Sequence, residues 1–255
     1  INAHETGALE SVGHKCLTLP TSNGKITAKQ VDTLIQEHYS DASSEHTVQP
    51  GIVYISFPTE SGTLYSKQEL TELYTVCQNH NIPLFIDGAR LGYGLVSKKN
   101  DVTFEDIANL CDVCYIGGTK VGALFGECIV ILNDLYKKDF RYAIKQHGGM
   151  LAKGRMLGIQ FEELFKDNRY LTISKHAIDM ADILTEGFQS KGYHFYFPAE
   201  TNQLFPIFEN AKLEELSKEF AFTPWAKIDE THTAVRFVTS FATKRENVEY
   251  LLTKI

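Results

Sequence analysis

The sequence predicts an α/β protein: a larger unit built on a mostly parallel sheet, followed by a smaller α+β unit. Three observations point there. Through the first half, short runs rich in Val, Ile, Tyr and Phe alternate with amphipathic helical stretches, as they do where helices cross over a parallel sheet. After Asp134 the alternation stops and long helical stretches take over. Beyond Gly192 short strand candidates return, with two helices among them. The larger unit is therefore placed in residues 1–134, and linking helices with a small C-terminal unit in residues 135–255.

Each element has its own signal. Cys16–Leu19 is a short apolar strand candidate before the turn Ser22-Asn23-Gly24. Thr27 is placed to cap a helix over Ala28–Tyr39, where Val31, Leu34 and Ile35 share a face. Gly51–Phe57 has strand composition. Ser66 caps a helix over Lys67–His80, with Leu70, Leu73, Tyr74 and Cys77 at helical spacing. Strands are expected at Pro83–Ile86, Asp112–Ile116 and Cys128–Leu132, with a short helix at Phe104–Leu110. Helices follow over Leu135–Gln146, Leu151–Phe165 and Leu171–Lys191, the last closed by Gly192. Tyr193–Phe197, Gln203–Phe208, Thr223–Ile228 and Ala234–Ser240 read as strands, and Leu213–Phe220 and Arg245–Lys254 as helices.

Composition narrows the function classes. With 43% hydrophobic and 22% charged residues, the 255-residue chain can bury a full core without disulfides or a structural metal. A net charge of −7 argues against nucleic acid or an anionic membrane as partner, since both require a basic face. Five cysteines scattered through apolar runs indicate reduced thiols and a cytoplasmic setting. Cys111 and Cys114 form a lone Cys-x-x-Cys that begins a strand, without the second pair a zinc site needs. The chain begins at Ile1, and residues are expected to precede it.

The chemistry concentrates at two strand ends. In parallel α/β sheets, ligands sit beyond the carboxyl ends of the strands. One such end reads Asp87-Gly88-Ala89-Arg90 and another Gly117-Gly118-Thr119-Lys120. Lys120 follows Asp87 by 33 positions, the length of one strand–helix–strand unit, so the two can meet at one rim. An aspartate, a lysine and an arginine there suit pyridoxal phosphate. The lysine amine forms a Schiff base, the carboxylate keeps the pyridine nitrogen protonated, and the guanidinium grips an amino-acid carboxylate. The glycines before Lys120 are read as room for a planar ring. On residue type alone other roles stay open: Lys120 as a solvated loop lysine, Asp87 as a helix cap or a partner for Arg90, and Glu60 as a turn residue before Gly62. Arg236 has the alternative of an edge position facing water.

These segments resemble the threonine aldolase and β-eliminating lyase family of pyridoxal-phosphate enzymes. Phe85-Ile86-Asp87-Gly88-Ala89-Arg90-Leu91 is similar to its aspartate strand, and Ile116-Gly117-Gly118-Thr119-Lys120-Val121-Gly122-Ala123 to its Schiff-base segment. Pro58-Thr59-Glu60-Ser61-Gly62 resembles the loop beside a substrate β-hydroxyl, and Val235-Arg236-Phe237-Val238-Thr239 the strand whose arginine binds the α-carboxylate. Ile1-Asn2-Ala3-His4-Glu5-Thr6-Gly7-Ala8 resembles the segment just after the ring-stacking histidine, which leaves His4 without that role. Glu60 stands where threonine aldolases usually carry histidine. With Lys153-Gly154-Arg155 it looks more like the phenylserine-aldolase-like branch.

The resemblance implies the type I fold of PLP-dependent transferases, a homodimer or homotetramer, and a small amino acid as substrate. It implies cleavage of a β-hydroxy-α-amino acid of the threonine, allo-threonine or phenylserine type to glycine and an aldehyde. Lys120 would carry pyridoxal 5′-phosphate as a covalent Schiff base, with Asp87, Arg90, Thr119 and Lys153 around it. Arg90 and Arg236 would hold the substrate carboxylate, and Glu60 would act as the base. The alternatives are β-elimination, transamination, or an inactive fragment of such an enzyme.

Overall fold

Two four-stranded sheets organise residues 1–255, all of which the computed structural model describes. The chain opens with a single turn, α1 (Ala8–Ser11), then α2 (Ala28–Ser40), β1 (Val53–Ser56), α3 (Lys67–Asn79) and β2 (Leu84–Gly88). Next come α4 (Leu91–Leu95), α5 (Phe104–Asn109), β3 (Val113–Gly117) and β4 (Glu127–Ile131). Thr27, Ser66 and Thr103 start α2, α3 and α5 with full capping boxes, closed by Gln30, Glu69 and Asp106. The first sheet runs β1-β2-β3-β4, with β1, β2 and β3 parallel and β4 antiparallel to β3.

Strand alternation gives this sheet two unlike faces. Val53, Ile55, Leu84, Ile86 and Cys114 point into a core shared with Val31 and Ile35 of α2 and Leu70, Leu73 and Cys77 of α3. Tyr54, Phe85, Asp87 and Tyr115 are half-buried on the other face. That periodicity aims Asp87 away from the core.

The second half holds α6 (Phe140–Gln146), α7 (Arg155–Phe165), α8 (Arg169–Ser190), β5 (Gln203–Leu204), β6 (Ile207–Glu209), α9 (Asn210–Leu216), β7 (Thr223–Lys227), β8 (His232–Val238) and α10 (Arg245–Lys254). β8 is the hub of the second sheet, pairing antiparallel with β5, β6 and β7. Helix α8 serves both halves. Met180, Leu184 and Phe188 enter a core with Val235, Phe237, Val248 and Leu251. Nearer its start, Tyr170, Ala177 and Ile178 pack with Tyr93, Val121 and Leu164, beside the lysine loop. No helix is long and apolar enough to cross a membrane.

Several expectations needed correction. Cys16–Leu19 is irregular: it lines the same cleft as the edge strand β1 but forms no strand pairing with it. The helix expected from Leu135 is broken into one 3₁₀ turn, Asp134–Tyr136, and α6, with Asp139 between them at φ 60°. The next helix starts at Arg155, not Leu151, since Lys153 sits in the left-handed region at φ 60°. Tyr193–Phe197 contributes only a single bridge, from Phe195 to Pro206. Gln203–Phe208 splits into β5 and β6 around Pro206, which has no N–H to donate.

Candidate active site

The carboxyl ends of β2 and β3 lie side by side, with Gly88 paired to Ile116. Asp87 is the penultimate residue of β2, and its Oδ1 accepts the Ala89 N–H at 2.9 Å. Its Oδ2 accepts a hydrogen bond from the Tyr54 hydroxyl, and Tyr115 is its cross-strand neighbour. Burial first, then this carboxylate, pushes the pKa of both phenols well above the ordinary tyrosine range, so both stay donors. Asp87 therefore caps no helix. Position 90 precedes α4, and the partner of Arg90 is Glu60, not Asp87.

Lys120 lies three residues beyond β3 in a 3₁₀ turn, Thr119–Val121. The turn is anchored at several points. The Gly118 N–H donates to Glu127 Oε2 at 2.6 Å, and the Tyr93 hydroxyl donates to the Lys120 carbonyl. Tyr170, from α8, donates its hydroxyl to the Gly117 carbonyl at 3.0 Å. The Lys120 side chain is exposed at the rim. Partial desolvation, and next Arg90, hold its ammonium below the ordinary lysine range, against the pull of Glu60, Asp87 and Glu127. Arg90, Glu60, Asp87 and Glu127 are thus the charges in the surroundings of the amine. A lysine shifted this way carries more of the neutral, nucleophilic form near neutral pH.

The two glycines before Lys120 serve a purpose different from the one expected. A Cβ on Gly117 would overlap the Ala89 backbone, and one on Gly118 would lie 2.7 Å from both the Gly126 carbonyl oxygen and Phe161 Cζ. Protein atoms, not a ring, fill the space that the missing side chains leave. Gly117→Ala is accordingly expected to cost about 1–3 kcal/mol from overpacking. It should lower the Tm by roughly 3–10 °C in differential scanning calorimetry.

Arg236 comes from the other sheet. It sits on β8 opposite Thr223, with strands on both sides, so the edge position facing water does not apply. Its guanidinium lies over the Trp225 ring at 5.6 Å, and Nη1 donates to Gln203 Oε1 at 3.3 Å. Its Nε is buried and has no partner. Glu60 joins the two arginines: Arg90 Nη1 is 2.9 Å from Oε1, and Arg236 Nη1 is 3.9 Å from Oε2. Beside Glu60 and Tyr54 opens a cleft of about 320 Å³, lined also by Ser56, Thr59 and the Ile1-Asn2 end of the chain.

The structure thus gathers Asp87, Arg90, Lys120, Glu60 and Arg236. Thr119 is exposed next to Lys120, its hydroxyl 3.4 Å from the Gly126 carbonyl. Lys153 is exposed in the turn before α7 with no side-chain partner, and nothing joins it to the others. Sequence reading missed Tyr54, Tyr115, Glu127, Tyr170 and Gln203. The period-two alternation of β1 carried a signal for Tyr54. The others act through contacts between distant segments and left none.

The donor set suits pyridoxal phosphate: an amine held below its usual pKa, a carboxylate fixed by a tyrosine and a backbone N–H, and a buried guanidinium N–H lacking an acceptor. Comparison with known proteins points the same way. Residues 1–211 match the family model described as beta-eliminating lyase. The chain is 43% identical to a threonine aldolase structure from Leishmania major, with a TM-score of 0.94 over 98% of this chain and 72% of that one. It is 31% identical to a low specificity L-threonine aldolase from a Pseudomonas species over 85% of this chain. It spans 62% of that relative's length. An aspartate aminotransferase from Thermus thermophilus, 16% identical with a TM-score of 0.60, covers 86% of this chain and is itself covered over 60%. That likeness extends the fold alone to the type I PLP-dependent transferases.

Proposed function

Because the chain belongs to the β-eliminating lyase family, we propose that it is the larger part of a pyridoxal-phosphate-dependent aldolase. The substrate would be a β-hydroxy-α-amino acid of the threonine, allo-threonine or phenylserine type, cleaved to glycine and an aldehyde. The observation that carries this reading is the meeting of Arg90 and Arg236, from opposite halves of the chain, on one carboxylate beside Lys120. A site with two guanidinium groups next to a nucleophilic amine suits an α-amino acid.

Pyridoxal phosphate, when bound, supplies the electron sink for the pair released as the Cα–Cβ bond breaks. Lys120 would be the residue that holds it, through its amine. Asp87, fixed by Tyr54 and the Ala89 N–H, would keep a proton on the ring nitrogen. Arg90 and Arg236 take the α-carboxylate and so orient the bond to be broken. Glu60, or water it positions, removes the β-hydroxyl proton. Thr119, and Lys153 from a neighbouring subunit, would serve the phosphate. Leu124, Leu135 and Tyr142, at 86%, 79% and 70% exposure, favour a homodimer or homotetramer. Five free thiols fit a cytoplasmic setting.

The test is product analysis of the protein loaded with pyridoxal phosphate. Threonine, allo-threonine and phenylserine are supplied in turn. Equal amounts of glycine and aldehyde are expected from at least one of them. Ammonia with a 2-keto acid would mean elimination, a keto acid without free ammonia transamination, and no product an inactive fragment.

A further inference from the structure

We propose that Glu60 is a specificity-determining placeholder, holding the arginine pair until an α-carboxylate displaces it and only then becoming free for the β-hydroxyl. The inference rests on the function proposed above.

The two sides of the cluster differ in burial and in the contacts that hold them. The Arg90 and Arg236 side chains are 11% and 23% exposed, and Arg236 is braced by Trp225 and Gln203. The Glu60 side chain is 58% exposed, and no contact besides the arginines holds its carboxylate. The glutamate is therefore the partner that can leave, and ion pairs with so exposed a member are weak. The arginines are also incompletely served. Glu60 Oε2 stands 3.9 Å from Arg236 Nη1, and the buried Nε has no acceptor. A carboxylate lying across Nε and Nη2 would form the paired hydrogen bonds that Glu60, which faces only Nη1, does not make, and it would relieve a buried unsatisfied donor. This asymmetry favours the incoming group.

The exchange has a chemical consequence. While Glu60 Oε1 accepts from Arg90 Nη1 and Oε2 faces Arg236, neither oxygen is turned to a substrate hydroxyl. An amine that lacks a carboxylate leaves Glu60 clasped and its own hydroxyl without a base. A hydroxy amino acid displaces Glu60 and meets a free carboxylate. The site thus discriminates by linking carboxylate recognition to delivery of the base.

Isothermal titration of the pyridoxal-phosphate-loaded protein tests this with two ligands. 3-Hydroxybutyrate carries the carboxylate and β-hydroxyl but no amine, and 1-amino-2-propanol carries the amine and hydroxyl but no carboxylate. In Glu60→Gln and Glu60→Ala the internal competitor is gone. The Kd for 3-hydroxybutyrate should fall about fivefold in both variants, and that for the amino alcohol should stay unchanged. In turnover of the hydroxy amino acid, KM and kcat should fall together. Unchanged or weaker 3-hydroxybutyrate binding in both variants, or equal tightening of both ligands, overturns the placeholder. Glycine release by the unsubstituted protein without that tightening defeats only this inference, whereas absence of glycine defeats the functional reading beneath it.

Discussion

Lys120→Ala is expected to abolish covalent capture of pyridoxal phosphate and to lower turnover by at least about a thousandfold, a barrier increase of roughly 4 kcal/mol. Borohydride reduction followed by peptide mapping should label Lys120 in the unsubstituted protein and no lysine in the variant. The fold should survive, because the anchors of this turn are the Gly118 N–H and the Gly117 and Lys120 carbonyls, not the lysine side chain. The lowered pKa also sets a pH dependence. Below its folded pKa the amine is protonated and cannot attack. A depressed pKa therefore carries capture to lower pH than an ordinary lysine would allow. Capture that begins only where free lysine titrates would show that the surroundings of Lys120 do not activate it. Labelling of another lysine would remove Lys120 from the proposed chemistry altogether.

Arg236→Leu is the second large effect. Loss of a guanidinium paired with a desolvated substrate carboxylate costs about 2–5 kcal/mol, so kcat/KM should fall roughly a hundredfold or more, mainly through KM. Arg236→Lys should recover little, because a point charge does not reproduce a planar fork. Stability should hardly suffer. Arg236 is bonded only to Gln203 and loosely to Glu60, and its Nε is already unsatisfied in a buried position. An apolar side chain there removes that unsatisfied donor, and urea unfolding should show a change within about 1 kcal/mol. A fall in kcat at constant KM would contradict a carboxylate-binding role. A collapse in stability would recast Arg236 as a structural residue.

Asp87, Arg90 and Lys120 were legible because each follows a run of apolar residues whose length marks a strand end. Arg236 was legible only through the resemblance. Nothing in its neighbourhood announces that β8 lies in mid-sheet, since β5, β6 and β7 start 33, 29 and 13 residues before Arg236. The glycines show how a correct position can come with the wrong reason. Gly117 and Gly118 were picked out as special, but the atoms they make room for belong to Ala89, Gly126 and Phe161, each from another segment. The broken helix after Asp134 failed for the opposite reason. Local propensity favoured continuity, and a left-handed residue at Asp139 interrupts it.

Sequence alone determined the α/β alternation, most helix starts, and the presence of an amine and a carboxylate at two strand ends. These follow from side-chain periodicity and capping chemistry, which act over a few residues. Tertiary structure alone decided that β4 runs antiparallel, that the Tyr54 hydroxyl meets Asp87, and that Glu60 stands between Arg90 and Arg236. Such pairings depend on which surfaces pack together across the whole chain, and side-chain identity within a short window does not encode that choice.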